Sequence, residues 1–157
     1  MSIATTIHAT AIAFGPRGVL IMGPPGSGKS DLALRLIDQS GLGIGPLPMV
    51  ASLISDDQTQ LVRVGDSLVA SPPAALAGLL EIRGLGILRL RNRASAGVAL
   101  VVRLTAAATI DRMPELSRSV FKVLDVAIPM VMIDPTCASA PARVRAAIGA
   151  VESEGVL

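Results

Sequence analysis

The sequence has almost no aromatic residues: two phenylalanines, Phe14 and Phe121, and neither tryptophan nor tyrosine. Binders of single-stranded nucleic acid stack bases on aromatic rings, and this chain lacks such platforms. The formal net charge of +2 is too small to form the basic stripe that phosphate backbones require, so no nucleic-acid partner is expected. Cys137 is the single cysteine and has no second cysteine to pair with. No apolar run approaches the ~20 residues that cross a bilayer, because charges such as Arg103 and Asp125 interrupt the best candidates, and no membrane association is expected. Residues 1–7 lack the basic start and apolar centre of a secretory signal. These absences together predict a soluble, cytoplasmic protein.

What remains is 157 residues of which 51% are hydrophobic, enough for one domain with a real core. The expectation is a single domain over residues 1–157, with no internal repeat, low-complexity tract or interdomain linker. Residues 7–14 alternate loosely and run into the turn cluster Gly15-Pro16-Arg17-Gly18, and Val19-Leu20-Ile21-Met22 then reads as a buried central strand fed by a hairpin. From Lys29 the spacing turns helical, with Leu32, Ala33, Leu36 and Ile37 on one face until Ser40-Gly41 stops it. Residues 41–48 hold three glycines and two prolines and read as a loop. Residues 49–54 form a second buried strand, ending at Ser55-Asp56-Asp57. Residues 60–64 and 67–70 flank Gly65-Asp66 as a hairpin, and Pro72-Pro73 breaks the chain before residues 79–82. Residues 98–104 and 130–133 are further strands, and residues 140–151 form a closing helix. The class is α/β, a mixed β-sheet core with flanking helices.

Gly23-Pro24-Pro25-Gly26-Ser27-Gly28-Lys29-Ser30 fits the phosphate-loop pattern G-x-x-x-x-G-K-[ST], with an apolar strand before it and an amphipathic helix after it. Each position has a physical reason. Glycines let backbone N–H groups turn inward around a phosphate, and the helix N-terminus adds partial positive charge. Lys29 reaches the β- and γ-phosphate oxygens, and the Ser30 hydroxyl binds Mg²⁺. ATP and Mg²⁺ are therefore the expected ligands. The motif alone does not select the reaction, because ATPases, GTPases and small kinases share it.

Asp56 and Asp57 close an apolar strand, as expected where a neighbouring strand delivers an acid to the metal. Consecutive strand side chains point to opposite faces, so the two acids share a role only if the strand has already ended. One of them is expected to serve chemistry, the alternative being that the pair is only a polar turn or helix cap. His8 by itself has a bland reading, since a single histidine on a strand is more often a packed or surface residue than a catalytic one. Arg89, Arg91 and Arg93 alternate, so in an extended strand they share one face that could meet an acidic partner, or they form a solvated face.

Several segments, in chain order, resemble the HPr kinase/phosphorylase family, whose members phosphorylate a serine of the phosphocarrier protein HPr. Ile7-His8 and residues 18–23 resemble the family's I-H-G and G-V-L-I-x-G; Gly28-Lys29-Ser30-Asp31 resembles G-K-S-E; residues 53–57 resemble L-V-A-D-D. The most specific segment is Leu80-Glu81-Ile82-Arg83-Gly84-Leu85-Gly86-Ile87, nearly letter for letter the family signature. The resemblance covers roughly residues 7–133 and is to a short, alphaproteobacterial-type form made of the catalytic C-terminal domain. It implies a fold like the HPr kinase and PEP carboxykinase nucleotide-binding fold. It also implies that His8 is an active-site histidine, that Lys29 and Ser30 hold phosphate and metal, and that Glu81 is a second metal-binding acid. The base would be Asp57, with Asp56 as the alternative, and Arg112, within Asp111-Arg112, would be an active-site arginine. Arg83, Gly84 and Gly86 would shape the wall beside Glu81, with Ile82, Leu85 and Ile87 completing it. The partner implied is HPr, with a hexamer by family analogy.

One departure is in the late loop, where the family carries a P-V-x-P-G-R-type segment used in the reverse reaction. Here the residues are Asp134-Pro135-Thr136-Cys137-Ala138-Ser139, without the Gly-Arg pair and its cationic phosphate contact. The resemblance therefore carries the kinase direction further than phosphorolysis. Residues 41–48 are a second departure. The competing readings are a P-loop kinase of a small metabolite and a non-catalytic ATP-binding regulator.

Overall fold

A computed structural model describes residues 3–152, so the outermost ends of the expected 1–157 domain lie outside the described residues. Eleven strands and two α-helices follow in order: β1 (Ile3–Ile7), β2 (Thr10–Phe14), β3 (Arg17–Met22), α1 (Lys29–Asp38), β4 (Ala51–Ser55), β5 (Thr59–Val64), β6 (Ser67–Ser71), β7 (Leu79–Ile82), β8 (Gly86–Arg89), β9 (Ala96–Leu104), β10 (Val120–Val123), β11 (Val126–Ile133) and α2 (Ala140–Glu152). β1-β5-β6-β9-β3-β2-β4 form one path of hydrogen-bonded neighbours. β11 also pairs with β9 and carries β10, while β7 and β8 form a separate two-stranded hairpin. β9 runs parallel to β3 and β11, and the hairpin pairs are antiparallel, so the sheet is mixed, as expected.

Alternation along each central strand feeds two cores. Ile12, Phe14, Val19 and Ile21 face α1 and α2, joining Leu32, Leu36, Val144 and Ile148. Ala11, Ala13 and Leu20 face the other way and meet Ile54, Leu61 and Leu68. In β9, Ala96 and Val98 lie in the second core but Leu100, Val102 and Leu104 in the first; the register shift opposite Gly18/Val19 inserts Ala99 and exchanges the faces. Both helices flank the same face. The second face is closed by the sheet itself, which curls until β4 meets β6, although β9, β3 and β2 separate them in the order.

The strands departed from expectation for local reasons. β1 is a strand of its own on β5, cut from β2 by a bend at His8. β11 begins at Val126, four residues before the expected start. Pro129, which has no N–H to donate, stands where β11 changes partner: residues 126–129 pair with β10 and residues 130–133 with β9. The arginine series is interrupted too. β8 ends at Arg89, and the backbone at Arg91 and Arg93 instead hydrogen-bonds to both sides of Leu53 on β4.

Arg145 of α2 anchors the C-terminal end of α1. Only 2% exposed, it donates Nη2 to the carbonyls of Leu36 and Gln39 and Nε to that of Met49, with Phe14 beneath its guanidinium. A cation suits the carbonyl-rich end of a helix. Burial pulls its pKa below the usual arginine value. Loop 41–48 begins against this clamp: a Cβ on Gly41, whose φ is +66°, would overlap the guanidinium.

Candidate active site

The phosphate loop follows β3 as the pattern requires. Gly26 and Gly28 adopt φ of +77° and +100°, conformations that glycine reaches without steric cost. Gly28 is the N-cap of α1 and no side chain caps the helix, so its first N–H groups remain available to an anion. Lys29 is 7% exposed, and its ammonium donates to the loop's own carbonyls, Gly23 at 2.8 Å and Pro24 at 3.0 Å. Ser27 Oγ, packed against Gly23, is the one buried side-chain oxygen without a hydrogen-bond partner among the described residues.

β4 lies next to β2 and brings its acids to the loop. Asp56 is 9% exposed, and its carboxylate is held from three sides. Oδ1 accepts from Ser30 Oγ at 2.6 Å and from Thr10 Oγ1 at 3.2 Å; Oδ2 accepts from the Glu81 backbone N–H at 3.1 Å. β4 has ended at Ser55, and Asp57 follows with φ of +65°, its N–H donating to Thr10 Oγ1 at 3.3 Å. This left-handed step removes strand alternation and puts both acids on one cavity. Asp57 is exposed, and no donor among the described residues binds its carboxylate.

β7 and β8 supply the opposite wall. Glu81 is exposed, and the turn Arg83-Gly84-Leu85 is closed by the Leu85 N–H donating to the Ile82 carbonyl at 3.0 Å. The cavity, about 890 Å³, is lined by Pro25, Gly26, Gly28, Lys29, Ser30, Asp56, Asp57 and residues 81–86, together with Asp31 and Leu34 of α1.

Most of the expected site residues therefore meet in one place. Gly23, Pro24 and Ser27 sit behind the lining, in the loop's body. His8 is exposed at the bend two residues before Thr10 and does not line the cavity. Arg112 is exposed in the segment between β9 and β10, also outside the lining. Ile87 does not complete the wall: it pairs across the hairpin from Glu81 and is 68% exposed. Sequence reasoning missed Thr10, whose hydroxyl ties the two acids together. Its only local signal was a polar residue opening an otherwise apolar strand.

Loop 134–139 packs beside the phosphate loop, with Pro135 against Gly28. Arg35 of α1 donates to the Pro135 carbonyl at 2.7 Å and to Asp31 at 3.1 Å. Asp134 accepts from the Thr136 hydroxyl at 2.6 Å, the Thr136 N–H at 2.8 Å and the Ala107 N–H at 3.0 Å. The Thr136 hydroxyl first, then these two N–H groups, hold its carboxyl below the usual carboxylate range.

A nucleotide tail and a divalent cation fit these residues. The uncapped helix start, the glycine conformations and the unpartnered Ser27 hydroxyl suit phosphate. Ser30 and Asp56, already in contact, with Glu81 nearby, offer the hard oxygen donors that Mg²⁺ takes. Among the described residues no three acidic, His or Cys side chains cluster as a closed metal cage. Mg²⁺ typically keeps waters and phosphate oxygens and needs no such cage.

The family model for the HPr Serine kinase C-terminal domain matches residues 1–148. The chain is 31% identical over 140 residues to the HPr kinase/phosphorylase of Exiguobacterium sp., covering 82% of this chain and 42% of that protein. It is 36% identical over 138 residues to the HPr kinase/phosphorylase of Cupriavidus necator, covering 82% and 39%. Against the Chromobacterium violaceum HPr kinase/phosphorylase, identity is 39% over 93 residues, covering 59% and 26%. The chain thus spans less than half the length of these relatives. The solved HPr(Ser) kinase/phosphatase of Coxiella burnetii superposes with a TM-score of 0.73 over 89% of this chain and 91% of that one, at 24% identity, a likeness of fold. With the family model matching nearly end to end and the phosphate loop, acid pair and hairpin in place, the chain belongs to the HPr serine kinase C-terminal domain family.

Proposed function

We propose that this protein transfers the γ-phosphoryl group of ATP to a serine of the phosphocarrier HPr, with Mg²⁺ as the required cation. The reading is supported by the family membership and carried by one observation: Ser30, Asp56, Asp57 and Glu81 share a cavity that opens onto an uncapped phosphate-loop helix.

The glycine-rich loop and the N-terminus of α1 hold the phosphates through backbone N–H groups. Lys29 exchanges its two carbonyl partners for phosphate oxygens. Ser30, oriented by Asp56, and Glu81 would hold the cation, which when bound would supply charge neutralisation at the phosphates. Asp57, exposed and without a donor, takes the proton of the substrate serine as its oxygen bonds to the γ-phosphorus and ADP departs. Positioning and charge stabilisation supply most of the rate, as in phosphoryl transfer generally. His8 and Arg112 are the histidine and the cation that sequence resemblance adds to the site; His8 lies two residues before Thr10, whose hydroxyl ties both acids. The protein acts in the cytoplasm, where HPr and ATP are found together. The kinase direction is favoured over phosphorolysis, because the late loop offers an Asp134–Thr136 turn where the family has Gly-Arg.

The test is incubation of the pure protein with radiolabelled ATP, Mg²⁺ and the HPr of the same organism. Labelled HPr is expected, and Lys29→Ala abolishes it. Label in a small metabolite, or ATP binding without transfer, would replace this reading with one of the two alternatives.

A further inference from the structure

The signature hairpin does more than line the cavity. In an antiparallel pair, residues directly opposite share a face. Glu81 pairs with Ile87 and Leu79 with Arg89, so the face that carries the cavity acid continues outward through Ile87 and Arg89. Leu80 and Leu88 take the other face, where Leu80 is fully buried in the body of the protein.

The outward face has no partner in the fold. Ile87 is 68% exposed and Leu85, at the tip, 71%. A Cβ added at Gly84 or Gly86 would meet nothing within 4 Å, so the tip stands clear of the rest of the protein. Arg83 and Arg89 bracket these apolar side chains, with Arg91 and Arg93 following. None of the four has a carboxylate within ion-pair distance among the described residues, whose ion pairs lie elsewhere, at Arg17, Arg35, Arg63 and Arg118. Among those residues the Arg89 guanidinium donates only to the Ala77 carbonyl and that of Arg93 only to the Ser95 carbonyl. Exposed apolar side chains flanked by arginines without carboxylate partners are what a specific protein interface desolvates on docking.

We propose that this face of β7–β8 is the docking strip for the protein that presents the serine. The strip rests on the protein-kinase reading above. Its occupant is a protein surface with an apolar patch rimmed by carboxylates. Ile87 and Leu85 take the patch and Arg83 and Arg89 take the rim. Because the same face leads to Glu81, a protein seated there carries its serine toward Asp57. A small metabolite held in the cavity would have no use for Ile87 and Arg89, which lie beyond its lining.

The test uses Ile87→Asp and Arg89→Glu, neither of which lines the cavity, with HPr as substrate. Ile87→Asp is expected to raise KM for HPr about tenfold or more, while kcat at saturating HPr, the Kd for ATP and the melting temperature stay close to those of the unaltered protein. Arg89→Glu raises KM and flattens its dependence on NaCl, because a rim charge acts mainly through screened attraction. Unchanged KM in both variants overturns the strip and leaves the kinase reading standing. A changed sedimentation mass with unchanged KM assigns the face to contact between copies of this chain, and overturns it likewise. No transfer to HPr by the unaltered, ATP-bound protein removes the reading beneath it, and the strip as well.

Discussion

Ser30 Oγ donates to Asp56 Oδ1 at 2.6 Å, joining the last residue of the phosphate-loop motif to the first acid of β4's end across 26 residues of sequence. This contact divides the labour of the two aspartates. Asp56 is enclosed and committed to Ser30, Thr10 and the Glu81 backbone; Asp57 is open to the cavity.

Asp56→Asn keeps the shape but replaces an acceptor-only carboxylate with an amide, which sets an N–H₂ against donors on one side. Transfer should fall about 100-fold or more, with the Mg²⁺ concentration needed for half-maximal rate shifted upward. A magnesium titration of the steady-state rate checks this. An unchanged magnesium requirement would remove Asp56 from the metal side of the site.

Asp57→Asn should abolish transfer while ATP still binds with about its normal Kd, because Asp57 holds no part of the phosphate loop. Equilibrium binding of a fluorescent ATP analogue beside the transfer assay separates the two effects. Full turnover in this variant would return the base to Asp56.

Arg145→Met keeps the volume and strips three backbone carbonyls of their donor, and is expected to lower stability by about 3 kcal/mol. Urea unfolding measures it through the midpoint at unchanged slope. Gly41→Ala should destabilise as well, since its Cβ would overlap the same guanidinium.

Asp134 has a pKa held below its ordinary value of 3.8 by its bonds to Thr136 and Ala107. A carboxyl whose folded pKa is depressed contributes stability that is complete above the unfolded pKa and is lost as pH falls through the folded one. The unaltered protein should therefore lose melting temperature below about pH 4, and Asp134→Asn should show a shallower decline there. Thermal melts from pH 2.5 to 7 give the comparison, and parallel curves would show that the group is not linked to folding.

The phosphate loop, α1 and the acid pair were legible because each has a short-range signal: glycine spacing, helical periodicity, and charge at the end of an apolar run. The β10–β11 hairpin was not. Its two-residue turn, Leu124-Asp125, has φ of +51° and +61° with no glycine or asparagine to announce it. The pairing of β4 with the segment around Asn92 was equally hidden, since an isolated bridge leaves no periodicity. Consecutive-residue logic left open whether the strand had ended before the two acids, and the end of β4 at Ser55 with the left-handed backbone at Asp57 shows how they come to one cavity. Thr10 carried no signal because its role is to bridge residues that are remote in sequence.

The C-terminal half of the helix that follows the phosphate loop is secured by residues far downstream in the sequence. Arg35 reaches the Pro135 carbonyl 100 positions downstream, and the Leu36 carbonyl is met by Arg145 from 109 positions away. Residues 23–38 alone therefore hold the phosphate loop and its helix without these fasteners. Contacts of such long range form late in folding. A chain truncated before residue 145 keeps the letters of the phosphate loop but loses the Arg145 clamp on the end of α1.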